Sequence, residues 1–151
     1  MENNPLRQQL AAMKQSFFDE GFLSATQFEQ LEQLKDHNHP SFVEEVFTVF
    51  FKDTPRLLSV LDEALDNPKC GHRTVDRLLN HIKSSILSVG AIKLNDEVDK
   101  AIEHFEAGDM QLTKAALQPL KVDIDILKDK LVPYFQMLRQ AGPFETADRP
   151  K

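Results

Sequence analysis

The chemistry open to this sequence rests first on its five histidines, His37, His39, His72, His81 and His104. A neutral imidazole keeps one ring nitrogen with a free lone pair, so it can attack a phosphoryl group or bind a metal ion. For metal binding only the loop pair His37 and His39 has a usable spacing, and the single cysteine, Cys70, cannot build a thiolate site. No metal and no cofactor are expected. His81 stands in a different setting, the segment NHIKSSILSVGA from Asn80 to Ala91. On a helix Lys83 shares a face with Asn80, whereas His81 is turned about 100° from Asn80 and about 160° from Lys83. His81 is therefore turned away from the lysine, and Asn80, which shares a face with it, is no nucleophile because its amide lone pair is delocalised into the carbonyl. No glycine-rich phosphate loop, Gly-x-Ser-x-Gly elbow or Walker motif occurs, so nothing points to an independent enzyme.

The elements that must position this segment are all helical. Pro5 suits a first helical turn, and Leu6, Leu10, Met13 and Phe17 follow at helical spacing until Gly21. Ser24 and Gln27 form a capping-box pattern for a short helix to Leu34, and Ser41 with Glu44 another for a long one. In that long helix Phe42, Val43, Val46, Phe47, Phe50, Phe51, Leu57, Leu58, Leu61 and Leu65 make a broad apolar stripe, and Pro55 predicts either a bend near residues 52–54 or a break capped by Asp53. The fourth helix is read over Arg73 to Val89 with Val75, Leu79, Ile82, Ile86 and Val89 inward. Asn80 then lies nearly opposite that stripe, with Lys83, Ser84 and Leu87 beside it on the exposed face.

Gly90 serves as the structural turn into a fifth helix carried by Leu94, Val98, Ile102 and Phe105 and stopped at Gly108. Asp109 caps a sixth, carried by Leu112, Ala116, Leu120, Ile124, Leu127, Leu131 and Phe135, where Pro119 and Pro133 predict kinks or an early end. The fold class is all-α, an antiparallel four-helix bundle with additional N-terminal helices. Residues 1–140 are read as a single domain and 141–151, AGPFETADRPK, as a disordered tail.

A chain of 151 residues can bury a core of its own without metal or disulfides. One cysteine suits a reduced, intracellular setting, and no signal peptide or membrane span is legible, so a soluble monomer without membrane contacts is expected. Eighteen basic against twenty-four acidic residues give a net charge of −6, which repels nucleic acid on average. The expected partner is another protein.

The segment around Asn80 resembles the phosphoacceptor segment of plant-type histidine-containing phosphotransfer proteins. In that family a histidine is followed three residues later by lysine, then by a small residue, and ten residues on by glycine. Lys83, Ser84 and Gly90 fit this frame and place the acceptor position at Asn80, with His81 one residue out of register. FVEEVFTVFFKD and RLLSVLDEAL extend the likeness over residues 42–131. The resemblance implies a histidine that relays a phosphoryl group between receiver-domain aspartates, a lysine near the phosphoryl oxygens and a flat docking surface. Here that surface would comprise Asn80, Lys83, Ser84 and Leu87, Ser84 standing for glycine and Leu87 for serine. It implies a pseudo-phosphotransfer protein that docks receiver domains of hybrid histidine kinases and response regulators, dampens a phosphorelay, and in plants works in cytokinin signalling in cytoplasm and nucleus. Two alternatives stay open: an active protein using His81, and a helical adaptor unrelated to receivers.

Overall fold

A computed structural model describes residues 5–34 and 41–147, so the loop pair His37 and His39 lies outside the described residues. Among these residues the chain forms α1 (Pro5–Asp19), α2 (Ala25–Leu34), α3 (Phe42–Asp66), α4 (His72–Val89), α5 (Ile92–Glu106) and α6 (Met110–Ala147). Short turns join α3 to α4, α4 to α5 and α5 to α6, which makes each an antiparallel neighbour of the next, and α6 closes the ring by packing back on α3. Helix α1 lies against α6, and α2 rests on both α3 and α4.

The core is the inner face of that ring. Val75, Leu79, Ile82, Ile86 and Val89 are all buried, as the spacing of three and four requires. On α5 the buried set is Leu94, Val98, Ala101 and Phe105, with Ile102 only half-buried. On α6 the first two turns are phased one residue later than the sequence suggested, with Leu112 exposed and Ala116 half-buried while Thr113 and Leu117 are buried; from there on the expected Leu120, Ile124, Leu127, Leu131 and Phe135 form the buried stripe. The cap sets this phase. Asp109 Oδ1 accepts the Leu112 N–H at 3.0 Å, and the Thr113 hydroxyl donates to the Asp109 carbonyl at 2.7 Å, so a buried threonine is satisfied within its own turn. Phe28 of α2, Phe47 of α3 and Tyr134 and Phe135 of α6 meet with ring centroids 5.4–6.4 Å apart where they touch, pinning the N-terminal helices to the bundle.

The prolines interrupt less than expected. Helix α3 runs unbroken through Pro55, with Asp53 paired to Arg56 at 3.2 Å rather than capping a break. Helix α6 passes Pro119 and Pro133 and continues to Ala147, beyond residue 141 where the sequence suggested a disordered tail. Pro55, Pro119 and Pro133 sit on exposed positions, where water can take the carbonyl that each leaves without a donor, and Ala141 is buried against the bundle. Ser41 also departs from the capping box: with φ −101° and ψ 23° it makes no side-chain cap, and its hydroxyl donates to Glu45 Oε2 at 3.0 Å. No helix among the described residues is long and apolar enough to cross a membrane.

Candidate functional site: the outer face of α4

Burying one stripe of α4 forces the opposite stripe outward, and that stripe carries Arg73, Arg77, Asn80, Ser84 and Leu87, all exposed. Leu87 is 49% exposed, a large apolar side chain standing in solvent. Asn80 does not reach outward to a neighbour: its Nδ2 donates to the Asp76 carbonyl of its own helix at 2.8 Å. His81 is exposed and rotated toward the α3 side, since Ser85 and Ser88 on that flank of α4 face residues of α3.

Lys83 goes the other way. It is half-buried on the α5 side, where its Nζ donates to Asn95 Oδ1 at 3.1 Å and forms an ion pair with Asp99. Asn95 Nδ2 lies 3.4 Å from Asp99 Oδ2, so the three side chains make one network. Asn80, Ser84 and Leu87 are thus brought together on the open face, Lys83 borders it, and His81 and Lys83 lie on opposite flanks of Asn80.

The C-terminal end of α4 is fixed by a glycine. Gly90 has φ 72° and ψ 27°, and the N–H groups of Gly90 and Ala91 bond the Leu87 and Ile86 carbonyls at 3.1 and 3.2 Å. This turn also receives α2. The Ser24 N–H donates to the Gly90 carbonyl at 2.8 Å, and Gln27 Nε2 donates to the Ser88 carbonyl at 3.2 Å. Ser24 Oγ still accepts the Gln27 N–H at 3.2 Å, so one half of the capping box is kept and the other half is spent on α4.

Beside the exposed face, α2, α3 and α4 enclose a groove of about 560 Å³ lined by Leu34, Phe42, Val46, Val49 and Phe50 with Ser85 and Ser88. Sequence reasoning missed this groove, the Asn95–Asp99 partners of Lys83, and the two arginines. Arg77 and Arg73 were legible, one and two turns before Asn80 on the same face. Asn95 and Asp99 carry a weaker signal, a polar pair four residues apart flanking the buried Leu94 and Val98. Among the described residues no group of histidine, cysteine and carboxylate side chains could hold a metal ion.

No protein-family model matches the chain. Individual proteins do. It is 39% identical over 147 residues, covering 97% of both chains, to "Pseudo histidine-containing phosphotransfer protein 2" of Oryza sativa subsp. japonica. It is 36% identical over 117 residues, 78% of this chain and 91% of the relative, to "Histidine-containing phosphotransfer protein 4" of Arabidopsis thaliana. The solved structure of a histidine-containing phosphotransfer protein from Medicago truncatula superposes with a TM-score of 0.81 at 29% identity, over 99% of this chain and 98% of that one. With this bundle, this helix face and these relatives, the chain belongs to the plant histidine-containing phosphotransfer protein family.

Proposed function

We propose that this protein docks receiver domains of hybrid histidine kinases and response regulators without accepting their phosphoryl group, and so dampens the phosphorelay by occupying them. The observation that carries the reading is Asn80, an exposed side chain without a nucleophile at the frame position of the acceptor, with its amide folded onto the Asp76 carbonyl. His81 gives no substitute, since it is turned to the flank away from Lys83. The exposed Leu87 and the groove beside it supply apolar surface for docking, and the rice relative of highest quoted identity carries "pseudo" in its name. Competition then needs only a surface: a receiver held here is unavailable to a true phosphotransfer protein. Cytokinin signalling, a cytoplasmic and nuclear site of action, and a monomeric state belong to the same proposal.

The test is a titration of the purified chain against a panel of receiver domains, with acid-labile, base-stable phosphate measured after incubation with a phosphorylated receiver. Binding without phosphohistidine is the expected outcome. Phosphohistidine that disappears in His81→Ala would replace this reading by the active one, and no binding to any receiver would replace it by an adaptor of another kind.

A further inference from the structure

A lysine helps phosphoryl transfer only if its ammonium is available to the phosphoryl oxygens as charge builds on them. In this protein the Lys83 ammonium already has partners: Asn95 Oδ1 at 3.1 Å and the Asp99 carboxylate, both from α5. Asn95 in turn reaches the second Asp99 oxygen at 3.4 Å, which orients the carboxylate toward the lysine.

We infer that Asp99 is a second barrier to phosphoryl acceptance on this face, separate from the loss of a nucleophile at Asn80: it holds Lys83 against α5 and cancels its charge. The inference rests on the reading of Asn80 as the acceptor position. Two effects add. Lys83 must leave Asp99 and Asn95 before it can serve a phosphoryl group beside residue 80. Once it has left, an unpaired carboxylate remains at the place the ammonium vacated, where it opposes an anionic donor. Lys83 and Asp99 are 30% and 43% exposed, so the pair is a solvated one and its hold is modest, worth about fivefold in rate rather than an absolute block. Asp99 is a positioning residue in this account and touches no reacting atom.

The experiment uses phosphoramidate, a small donor that needs no receiver. The imidazole introduced by Asn80→His attacks phosphorus, the P–N bond of the donor breaks, and ammonia leaves with a proton while the ring nitrogen takes the phosphoryl group. Phosphohistidine formation is followed in full-length Asn80→His with and without Asp99→Asn, at low and high salt. Asp99→Asn is expected to speed it about fivefold, with the gap narrowing in high salt, because charge rather than shape is removed. Asp99→Glu, which keeps the carboxylate, is expected to stay slow, and adding Lys83→Ala to Asn80→His/Asp99→Asn is expected to erase the gain.

Equal rates with and without Asp99→Asn overturn the inference, as does a gain that survives Lys83→Ala. Variants that are inert throughout overturn it too, since removing the carboxylate then frees nothing. The docking proposal is judged separately by receiver titration, which this donor bypasses.

Discussion

Asparagine and histidine both end in a planar group with nitrogen, but only the imidazole offers a lone pair in the plane of the ring for in-line attack. On the proposed function, the side chain at residue 80 therefore decides whether the outer face of α4 performs chemistry or only makes contacts. Asn80→His is expected to give measurable phosphohistidine from a phosphorylated receiver where the unmodified chain gives none. Its rate should fall short of full activity, because Ser84 and Leu87 crowd the approach and transfer needs reacting atoms about 3–3.5 Å apart. Adding Ser84→Gly and Leu87→Ser should raise it further; a folded triple variant with no activity would remove residue 80 from the acceptor position. The sequence argument for this register is that Lys83 and Gly90 count back to the same residue. The Lys83 partners were not legible in the sequence, since the face that α5 turns toward α4 depends on the packing of two helices and not on the spacing within either.

Two elements carry measurable consequences of their packing. The turn after α4 holds Gly90 at φ 72°, and a Cβ added there would stand 2.7 Å from both Cβ and Cγ of Gln27. Gly90→Ala thus meets a left-handed backbone penalty and a collision with α2, and is expected to cost about 2 kcal/mol or more in thermal or denaturant unfolding. A loss below about 0.5 kcal/mol would show that α2 is not seated on this turn. Across α5 and α6, Glu97 faces Asp123, which is 8% exposed, and one Glu97 oxygen is buried without a partner. Burial, then the hydrogen bond to Asp123 and its negative charge, raise the Glu97 carboxyl from 4.5 to about 8, against the opposing pull of Lys93 and Lys100.

The folded state thus keeps a proton that the unfolded chain releases, so this contribution to stability is complete below about pH 4.5, declines as pH rises, and is lost above about pH 8. Melting curves of Glu97→Gln should lose that decline and gain most over the unmodified protein at alkaline pH; parallel pH profiles would contradict it. The boundaries of α4 were readable from its apolar spacing and glycine stop. The persistence of α3 and α6 through their prolines was not, because it depends on Pro55, Pro119 and Pro133 falling on the solvent side of helices that the bundle already holds.

At the scale of the whole molecule, a net charge of −6 coexists with one helix face that carries Arg73 and Arg77, neither with an ion-pair partner among the described residues. The outer face of α4 is therefore basic and apolar together, against the acidic balance of the whole chain. These contributions separate by experiment. Charge on the rim steers encounter, so Arg77→Glu should slow association with a receiver of acidic surface and flatten its salt dependence while leaving dissociation nearly unchanged. Leu87 instead contributes desolvation, and a charge of either sign buried there without a partner should weaken binding by about 2 kcal/mol, roughly thirtyfold in Kd.

Leu87→Asp alone is ambiguous, because a carboxylate in the last turn of α4 also opposes the helix dipole and could lower stability by up to about 1 kcal/mol. Leu87→Lys removes the ambiguity: lysine suits that turn, and the buried stripe from Val75 to Val89 is untouched by either change. If apolar contact holds the complex, both variants fold and both lose affinity through faster dissociation. Retained affinity in Leu87→Lys with loss in Leu87→Asp would make the contact electrostatic, and unchanged affinity in both would move the receiver to another face of the bundle.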